Sequence, residues 1–397
     1  MNLLLLTLMY PSDLLAEATA SSKDGLQMQI NAFQCALLEG LQAGLSEGEA
    51  MAQVNALPVG VFPTKYKKLL LKSFMHNGIR ELGCLNLPYV KQRQRERGAY
   101  RAIVEWAKQS PQNRTVLVYT LYLPYMRAVE RAKRAFPDLK AAVIVTDLPN
   151  ELGISSGRRG LMRKAEYRMG DERIRLCEAF DGFVPLTKHM AEALSMQGKP
   201  QVVVEGLVST DGATLPRTVP ERFTVLYTGT LNKELGVDAL MEAFVKMPEF
   251  DLWLCGRGDL SSKAESMAQA YPNIHSYGFV PRQRALELQA QVSALVNPRM
   301  PAGAYTRYSF PSKTLEYLRA GKPVLCYKLD GIPDDYDPYL SYIQKESADG
   351  ICEDVRALAT RSREELKAMG DRGRDFALSC KNATAQAARI LAMLRSL

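Results

Sequence analysis

Side chains that hold metals are scarce in this chain. Its 397 residues include three histidines, His76, His189 and His275, and none pairs at a metal-ligand spacing. The cysteines at 35, 84, 177, 255, 326, 352 and 380 are scattered, odd in number and form no Cys-x-x-Cys pair. That argues against a disulfide framework or a zinc site and for reduced thiols in a cytosol. Cys255 and Cys326 sit in apolar runs and read as core filler. No apolar run reaches the ~18 residues that a membrane-spanning helix needs. Met1-Asn-Leu-Leu-Leu-Leu-Thr-Leu-Met-Tyr10 lacks the basic start of a signal peptide, and Pro11-Ser-Asp interrupts it before any small-residue cleavage site. It reads as the first strand of a parallel sheet, apolar throughout because both faces are covered. Internal repeats and low-complexity tracts are missing too, which excludes solenoid architectures.

What remains is ordinary globular material, 47% hydrophobic and 24% charged. Its length suits two domains of about 200 residues each. The net charge of +8 is uneven: residues 1–210 hold 27 lysines and arginines against 20 acidic residues, and the remainder 24 against 23. The excess gathers in Lys65–Lys72, Lys91–Arg97, Arg127–Arg134 and Arg158–Lys164. Solvated helix faces would account for these runs, and so would a cationic surface meeting anionic lipid. No nucleic-acid-binding motif accompanies the charge, so nucleic acid is not an expected partner.

Apolar runs alternate with amphipathic stretches along the whole chain, the pattern of parallel α/β structure. In the first half the pattern predicts strands at 2–9, 54–60, 115–121, 141–147, 182–186 and 202–207. It predicts helices at 25–46, 66–80, 94–109, 125–136, 160–178 and 188–197. Residues 209–221 are polar, contain proline and lack periodicity, so they read as a linker. The second half gives strands at 223–229, 251–255, 274–277, 293–297 and 323–327 and helices at 236–246, 259–270, 281–290 and 311–320. Closing helices follow from about 347. The expected domains are thus 1–208 and 222–380, with a last helix over 381–397.

One stretch carries chemistry: Tyr308-Ser-Phe-Pro-Ser-Lys-Thr-Leu-Glu-Tyr-Leu-Arg-Ala-Gly-Lys-Pro-Val-Leu325. It reads as a loop, a short helix, a tight turn and a buried strand. Phe310 and Pro311 stand at the helix start, where proline costs little because the first N–H has no helical partner. Backbone N–H groups there point outward and can hold a phosphate. Glu316, one turn further, can accept hydrogen bonds from a diol such as a ribose. Gly321 suits the helix C-terminus. A phosphate-binding helix start with a carboxylate beside it is what a nucleotide-diphosphate site needs.

That segment resembles the nucleotide-sugar loop of GT-B glycosyltransferases, in particular the retaining family 4 (glycosyl transferases group 1) of bacterial polysaccharide synthesis. The resemblance extends to Tyr227-Thr-Gly-Thr-Leu-Asn-Lys-Glu-Leu-Gly-Val-Asp238, Leu252-Trp-Leu-Cys-Gly-Arg-Gly-Asp259, Tyr277-Gly-Phe-Val-Pro281, Val296-Asn-Pro-Arg299 and Asp330-Gly-Ile-Pro333. It implies an α/β chain of two Rossmann-like domains with parallel sheets facing a central cleft. The donor would bind the second domain and the acceptor the first, and the last helix would cross back onto the first domain. Two rival readings stay open: a non-catalytic nucleotide-sugar-binding protein, and an epimerase-like hydrolase that needs no acceptor.

The resemblance also implies roles for individual residues. Gly229, Thr230 and Lys233 would lie along the diphosphate, with Thr230 and Leu235 standing where family members usually carry a cation. Lys233 and Arg299 are the candidate replacements, since an arginine grips phosphate oxygens in pairs. Gly256, Arg257 and Val280 would border the base. Tyr308 occupies the first position of the family's Glu-x7-Glu signature, and Glu316 the second. Phe310, Pro311, Ser312 and Lys313 would surround the sugar diphosphate. In the first domain, Gly25 would let substrates approach the following helix, whose amides could stabilise the leaving diphosphate. Asp147 would bind an acceptor hydroxyl. Apart from a nucleotide-diphosphate sugar, UDP-linked by preference, no cofactor is expected, and no Asp-x-Asp signature marks a metal-held diphosphate. The expected acceptor is a saccharide, polyprenyl-linked, met at the inner face of the plasma membrane by a cytoplasmic protein with an anionic-surface contact.

Overall fold

The structure, a computed structural model, describes residues 1–110, 112–149, 161–194, 196–210, 220–301 and 303–397. The chain divides into two compact units, Met1–Leu207 with Ala383–Leu397, and Val208–Asn382.

The first unit runs β1 (Asn2–Thr7), α1 (Ser12–Ser21), α2 (Met28–Ala43), β2 (Ala50–Asn55), β3 (Leu70–Leu71), β4 (Phe74–His76), β5 (Ile79–Glu81) and β6 (Cys84–Leu85). It continues with α3 (Val90–Gln109), β7 (Arg114–Tyr119), α4 (Leu123–Ala135), β8 (Lys140–Val145), α5 (Leu161–Cys177), β9 (Gly182–Pro185) and α6 (Met190–Ala193). A seven-stranded sheet has the order β4-β5-β2-β1-β7-β8-β9, parallel except for the β4–β5 hairpin. Leu3–Leu6 are almost fully buried, because helices cover both faces of the sheet at β1.

Four features of this unit differ from the sequence expectation. Residues 66–80 form no helix. Leu70–Leu71 pair with Cys84–Leu85, and Asn77-Gly78, both at positive φ, turn β4 back onto β5. Residues 202–207 form no regular strand, although the Val202 and Val204 N–H groups donate to the Phe183 and Pro185 carbonyls and so line the sheet's last edge. The predicted strand at 54–60 begins and ends earlier, at β2. Helix α1, absent from the expectation, starts directly after Pro11. The linker assigned to 209–221 and the basic Arg158–Arg159 fall mostly outside the described residues.

The C-terminal helix Ala383–Arg395 completes this unit. It buries Ala387, Ile390, Leu391 and Leu394 against Leu37 and Leu41 of α2 and the inner strands. Each large side chain so buried is worth about 2 kcal/mol. Gly40 permits the contact, since a Cβ there would sit 2.4 Å from the Ala383 carbonyl oxygen. At the far end, the Arg395 guanidinium donates to both oxygens of Glu49 at 3.0 and 2.6 Å.

The second unit runs β10 (Thr224–Thr228), α7 (Val237–Val245), β11 (Asp251–Cys255), α8 (Ser261–Ala270), β12 (Ile274–Gly278), α9 (Arg282–Ala290) and β13 (Ala294–Asn297). It closes with α10 (Lys313–Ala320), β14 (Val324–Cys326), β15 (Ser341–Tyr342), α11 (Ala348–Ala359) and α12 (Arg363–Cys380). Its sheet is fully parallel, in the order β12-β11-β10-β13-β14-β15. In each sheet the strand order reverses beside the unit's first strand, β1 or β10. Open sheets of this kind bind ligands beyond the carboxyl ends of the strands at that reversal.

The Glu49 clamp gives a pH test. The Arg395 guanidinium bonded to Glu49 holds its carboxyl down at about 2, below the ~4.3 of an unfolded chain. The pair's stabilisation is therefore complete above about pH 4.3 and fades as pH falls toward 2. Glu49→Gln should unfold at lower urea than the parent at pH 7, with the gap shrinking between about pH 4.5 and 2.5. A gap that stays constant over that range would remove this linkage.

Candidate active site at the reversal of the second sheet

At the carboxyl end of the second sheet, β10 and β13 part after two paired residues, Val225 with Ala294 and Leu226 with Leu295. The Thr228 backbone thereby loses its ladder partner on that side. The Tyr317 hydroxyl of α10 supplies both missing bonds: it accepts from the Thr228 N–H at 2.8 Å and donates to the Thr228 carbonyl at 3.0 Å. Burial pushes the Tyr317 phenol well above its ordinary value, so it stays protonated. This bond fixes α10 on the end of β10.

Glu316, the next residue on α10, is thereby held at the same edge. Its Oε1 accepts from Lys313 Nζ at 3.0 Å and from Gln289 Nε2 at 2.7 Å. Gln289, at the end of α9, is fully buried, and its Nε2 also lies 3.2 Å from Thr228 Oγ1. Its Oε1 has no partner. The amide cannot turn over without placing that oxygen against the carboxylate, so the orphan acceptor follows from holding Glu316. The other carboxylate oxygen, Oε2, has no hydrogen-bond partner among the described residues. Sequence reasoning missed Gln289. The one signal for it was a polar residue between Leu288 and Ala290 on the inward side of a helix end.

The loops after β10, β11, β12 and β13 close around this point. Gly256, at φ +152°, lies so near the next strand that a Cβ would sit 1.7 Å from the Gly229 carbonyl oxygen. Gly236, at φ +76°, lets the loop after β10 touch Pro298, where a Cβ would be 1.9 Å from the carbonyl oxygen. Leu231 N–H donates to the Arg257 carbonyl at 2.9 Å, and the Asn232 side chain accepts from Asp259 N–H at 3.3 Å. Thr230 and Lys233 are exposed on this loop. Beside it, Leu231, Gly256, Arg257, Tyr277 and Phe279 line a depression of about 500 Å³. The Arg257 guanidinium stands 4.9 Å over the Phe279 ring, a cationic and aromatic pair on the wall of that depression.

Other candidate residues are placed differently from expectation. Helix α10 begins at Lys313, with Ser312 as the residue before it, so the helix start is two residues later than predicted. The Phe310 ring points into the core, 5.3 Å from the Tyr336 ring, and Pro311 is buried. These two therefore shape the loop, while exposed Ser312 and half-buried Lys313 border open solvent. Tyr308 lies on a 3-10 turn, Ala304–Tyr308, and is partly exposed. Arg299 turns away from a free phosphate grip: Nη2 donates to Ser309 Oγ at 2.8 Å and the guanidinium lies 4.9 Å over Tyr305. Its Nε is buried and has no partner among the described residues. Val280 is partly buried against the core. An Asp-x-Asp does occur, at Asp335-Tyr336-Asp337. Asp335 pairs with Lys381 at 2.8 Å, Asp337 with Lys328, and Tyr336 is buried, so the two carboxylates are committed to internal ion pairs.

In the first unit, Gly25 sits at φ +79° in the loop before α2, with the Ser22 hydroxyl donating to its carbonyl at 2.8 Å. The first turns of α2 lie against the segment after β1, through Asn31 to Tyr10 N–H and Gln34 to Leu8 N–H. Asp147 follows β8, exposed, with Thr146 Oγ1 at 3.1 Å. The Tyr119 phenol, raised mainly by burial and then by the Asp147 charge, lies in the same neighbourhood, its ring 6.0 Å from Phe33 of α2. Gly25 and Asp147 thus both belong to the carboxyl edge of the first sheet.

Comparisons with known proteins agree with this architecture. Over its whole length the chain is similar to the structure of sucrose-phosphate synthase from Thermosynechococcus elongatus, covering 98% of that chain at 12% identity and TM-score 0.62. It is similar to a trehalose-6-phosphate structure from E. coli bound with UDP-2-fluoro glucose, covering 100% of this chain and 99% of that one at 10% identity and TM-score 0.62. TarM is matched over 81% of this chain and 63% of that chain, at 10% identity and TM-score 0.53. The chain has the GT-B fold of these structures, two Rossmann-like α/β units. Residues 222–361, which lie in the second unit, match the model of glycosyl transferases group 1. No curated protein matches the sequence.

Gly256 tests how tightly this edge is closed. Gly256→Ala should lower stability by about 2–5 kcal/mol, because strain at positive φ adds to a backbone clash with Gly229. Chemical denaturation measures it; a loss under about 1 kcal/mol would mean the two loops can part without cost.

Proposed function

We propose that this protein transfers a hexose-type sugar from a nucleotide diphosphate, UDP by preference, to a hydroxyl of a saccharide acceptor with retention of configuration. The observation that carries the reading is the position of Glu316 and the start of α10 at the reversal of the second sheet. There the carboxylate is oriented by Gln289 and Lys313, and of the N–H groups that open α10 the Thr314 N–H is held by the Pro311 carbonyl at 2.8 Å, leaving those of Ser312 and Lys313 to meet an anion. An oxygen acceptor next to an anion-holding helix start suits a ribose diol and a diphosphate on one nucleotide. The Arg257 and Phe279 pair offers a stacking wall for a base.

Chemistry follows from positioning. The opening N–H groups of α10 and the Lys313 ammonium can hold charge that builds on the departing diphosphate, which supplies catalysis without a dedicated base. A diphosphate oxygen would take the acceptor proton as the acceptor attacks from the leaving-group side. Tyr308 replaces a carboxylate beside the donor sugar, so sugar selection rests on a phenol at that place. Acceptor binding falls to Gly25, the start of α2 and Asp147. The cationic first half favours an acceptor carried on a lipid, with the enzyme on the inner membrane face and surface polysaccharide as the product. Metal-independent action is part of this reading, with protein cations and amides in the metal's role.

Thermal unfolding with UDP-, GDP-, dTDP- and ADP-sugars, without added metal, tests it. A ligand at 100 times its Kd stabilises by about 2.7 kcal/mol, several degrees for a unit of this size. A shift with one nucleotide family should vanish in Glu316→Ala and shrink in Gln289→Leu, which keeps the volume but releases the carboxylate. Sugar release without an acceptor would indicate a hydrolase, and a shift without turnover a binding protein. No shift with any nucleotide would overturn the donor assignment.

A further inference from the structure

The excursion between β2 and α3 exposes apolar side chains that a water-facing edge would normally hide. On the small β3–β6 pair, Leu70 stands directly opposite Leu85, and both are exposed, Leu70 by 58%. On β4, Phe74 and Met75 are exposed, Met75 by 60%. Tyr89, at φ +60° and 85% exposed, and Val90 open helix α3. These side chains belong to one continuous region. Gly83 brings β6 against residues 71–73, where a Cβ would lie 2.4 Å from Ser73 N. Gln94 of α3 accepts from Leu85 N–H at 2.7 Å. Phe74, Met75, Arg80 and Arg101 line one surface depression.

Helix α3 sorts its charge by turn beside this patch. Lys91 and Arg95 point inward and donate to the Val59 and Leu57 carbonyls. Arg93, Arg97 and Arg101, spaced four residues apart, lie on the outer face and are exposed. Lys72 is exposed on the loop between β3 and β4. The acidic residues nearby are already committed: Glu105 to Arg80, Glu96 to Arg127, Glu17 to Lys68 and Asp24 to Lys65. A row of cations without carboxylate partners among the described residues flanks a patch of leucine, methionine, phenylalanine and tyrosine.

We infer that this face docks on an anionic lipid surface, with Leu70, Phe74, Met75, Leu85 and Tyr89 entering the headgroup region and Arg93, Arg97, Arg101 and Lys72 meeting lipid phosphates. Charge complementarity selects this occupant. Long cationic side chains can reach headgroups while their stems lie along apolar surface, and an aromatic with a polar tip suits the same depth. The inference places the lipid contact of the proposed function on particular residues, but it rests on surface chemistry alone and does not require sugar transfer.

Sedimentation of the full chain with phosphatidylcholine vesicles, with and without 30 mol% phosphatidylglycerol, is the test. Binding is expected only to the anionic vesicles, falling as salt rises. Arg93→Glu/Arg97→Glu/Arg101→Glu should weaken it at least about tenfold, since each cation near such a surface contributes roughly fivefold. Leu70→Ser/Met75→Ser should weaken it at unchanged charge. Both variants alter exposed positions and should keep the parent's melting temperature and any nucleotide-induced shift, so a failed donor assignment stays distinguishable from a failed lipid contact. Equal binding to neutral and anionic vesicles, binding unaffected by either variant, or concentration-dependent dimers that both variants abolish in the absence of lipid would overturn the inference.

Discussion

Much of the second unit's active edge depends on one hydroxyl. A parallel sheet whose strand order reverses must leave backbone groups unpaired where the central strands part, and a buried orphan amide costs about 1–3 kcal/mol. Here the unpaired groups belong to Thr228, and Tyr317 satisfies both of them. Because Tyr317 sits on α10, the repair also sets that helix's height on the sheet. Glu316 follows from its place in the chain, and Gln289 then holds it from α9 at the expense of its own unpaired oxygen. The requirement that buried polar groups be paired thus positions the carboxylate.

The glycines do the complementary work. Gly229, Gly236 and Gly256 occur where loops from neighbouring strands meet backbone to backbone, and the close contacts at Gly236 and Gly256 leave no room for a side chain. Loops that touch in this way move as one. Loops braced in this way suit the nucleotide site proposed above, whose parts must be held together.

Most of this was legible in the sequence because parallel strands and their following loops are local. The motifs at 227–238 and 252–259 each run from a strand into the loop that follows it, that at 308–325 runs from a loop through α10 into β14, and the structure forms all three. What was not legible depends on distant partners. The amphipathic-looking run at 66–80 became hairpins because edge pairing and the Asn77-Gly78 turn outweighed a weak helical pattern. Phe310 was assigned to the ligand side but faces Tyr336, a contact across 26 residues that no local pattern reveals. Arg299 was expected to be free, and Ser309 and Tyr305 occupy it. The basic run Lys91–Arg97 looked uniform in sequence, yet the helical turn divides it into a buried pair that anchors a loop and an exposed row.

The return of the last helix to the first unit has a consequence for how the chain is made. Val208 and Lys381, where the chain leaves and re-enters, are joined by a backbone hydrogen bond of 2.8 Å, so the second unit is an insertion with neighbouring ends. A chain synthesised from its N-terminus finishes the inserted unit before residues 383–397 emerge. Until they do, Leu37 and Leu41 of α2 lack the cover that Ala387, Ile390, Leu391 and Leu394 give them, and the unit begun first is the last to close. Its nascent form therefore waits with part of an apolar face open while the inserted unit is made.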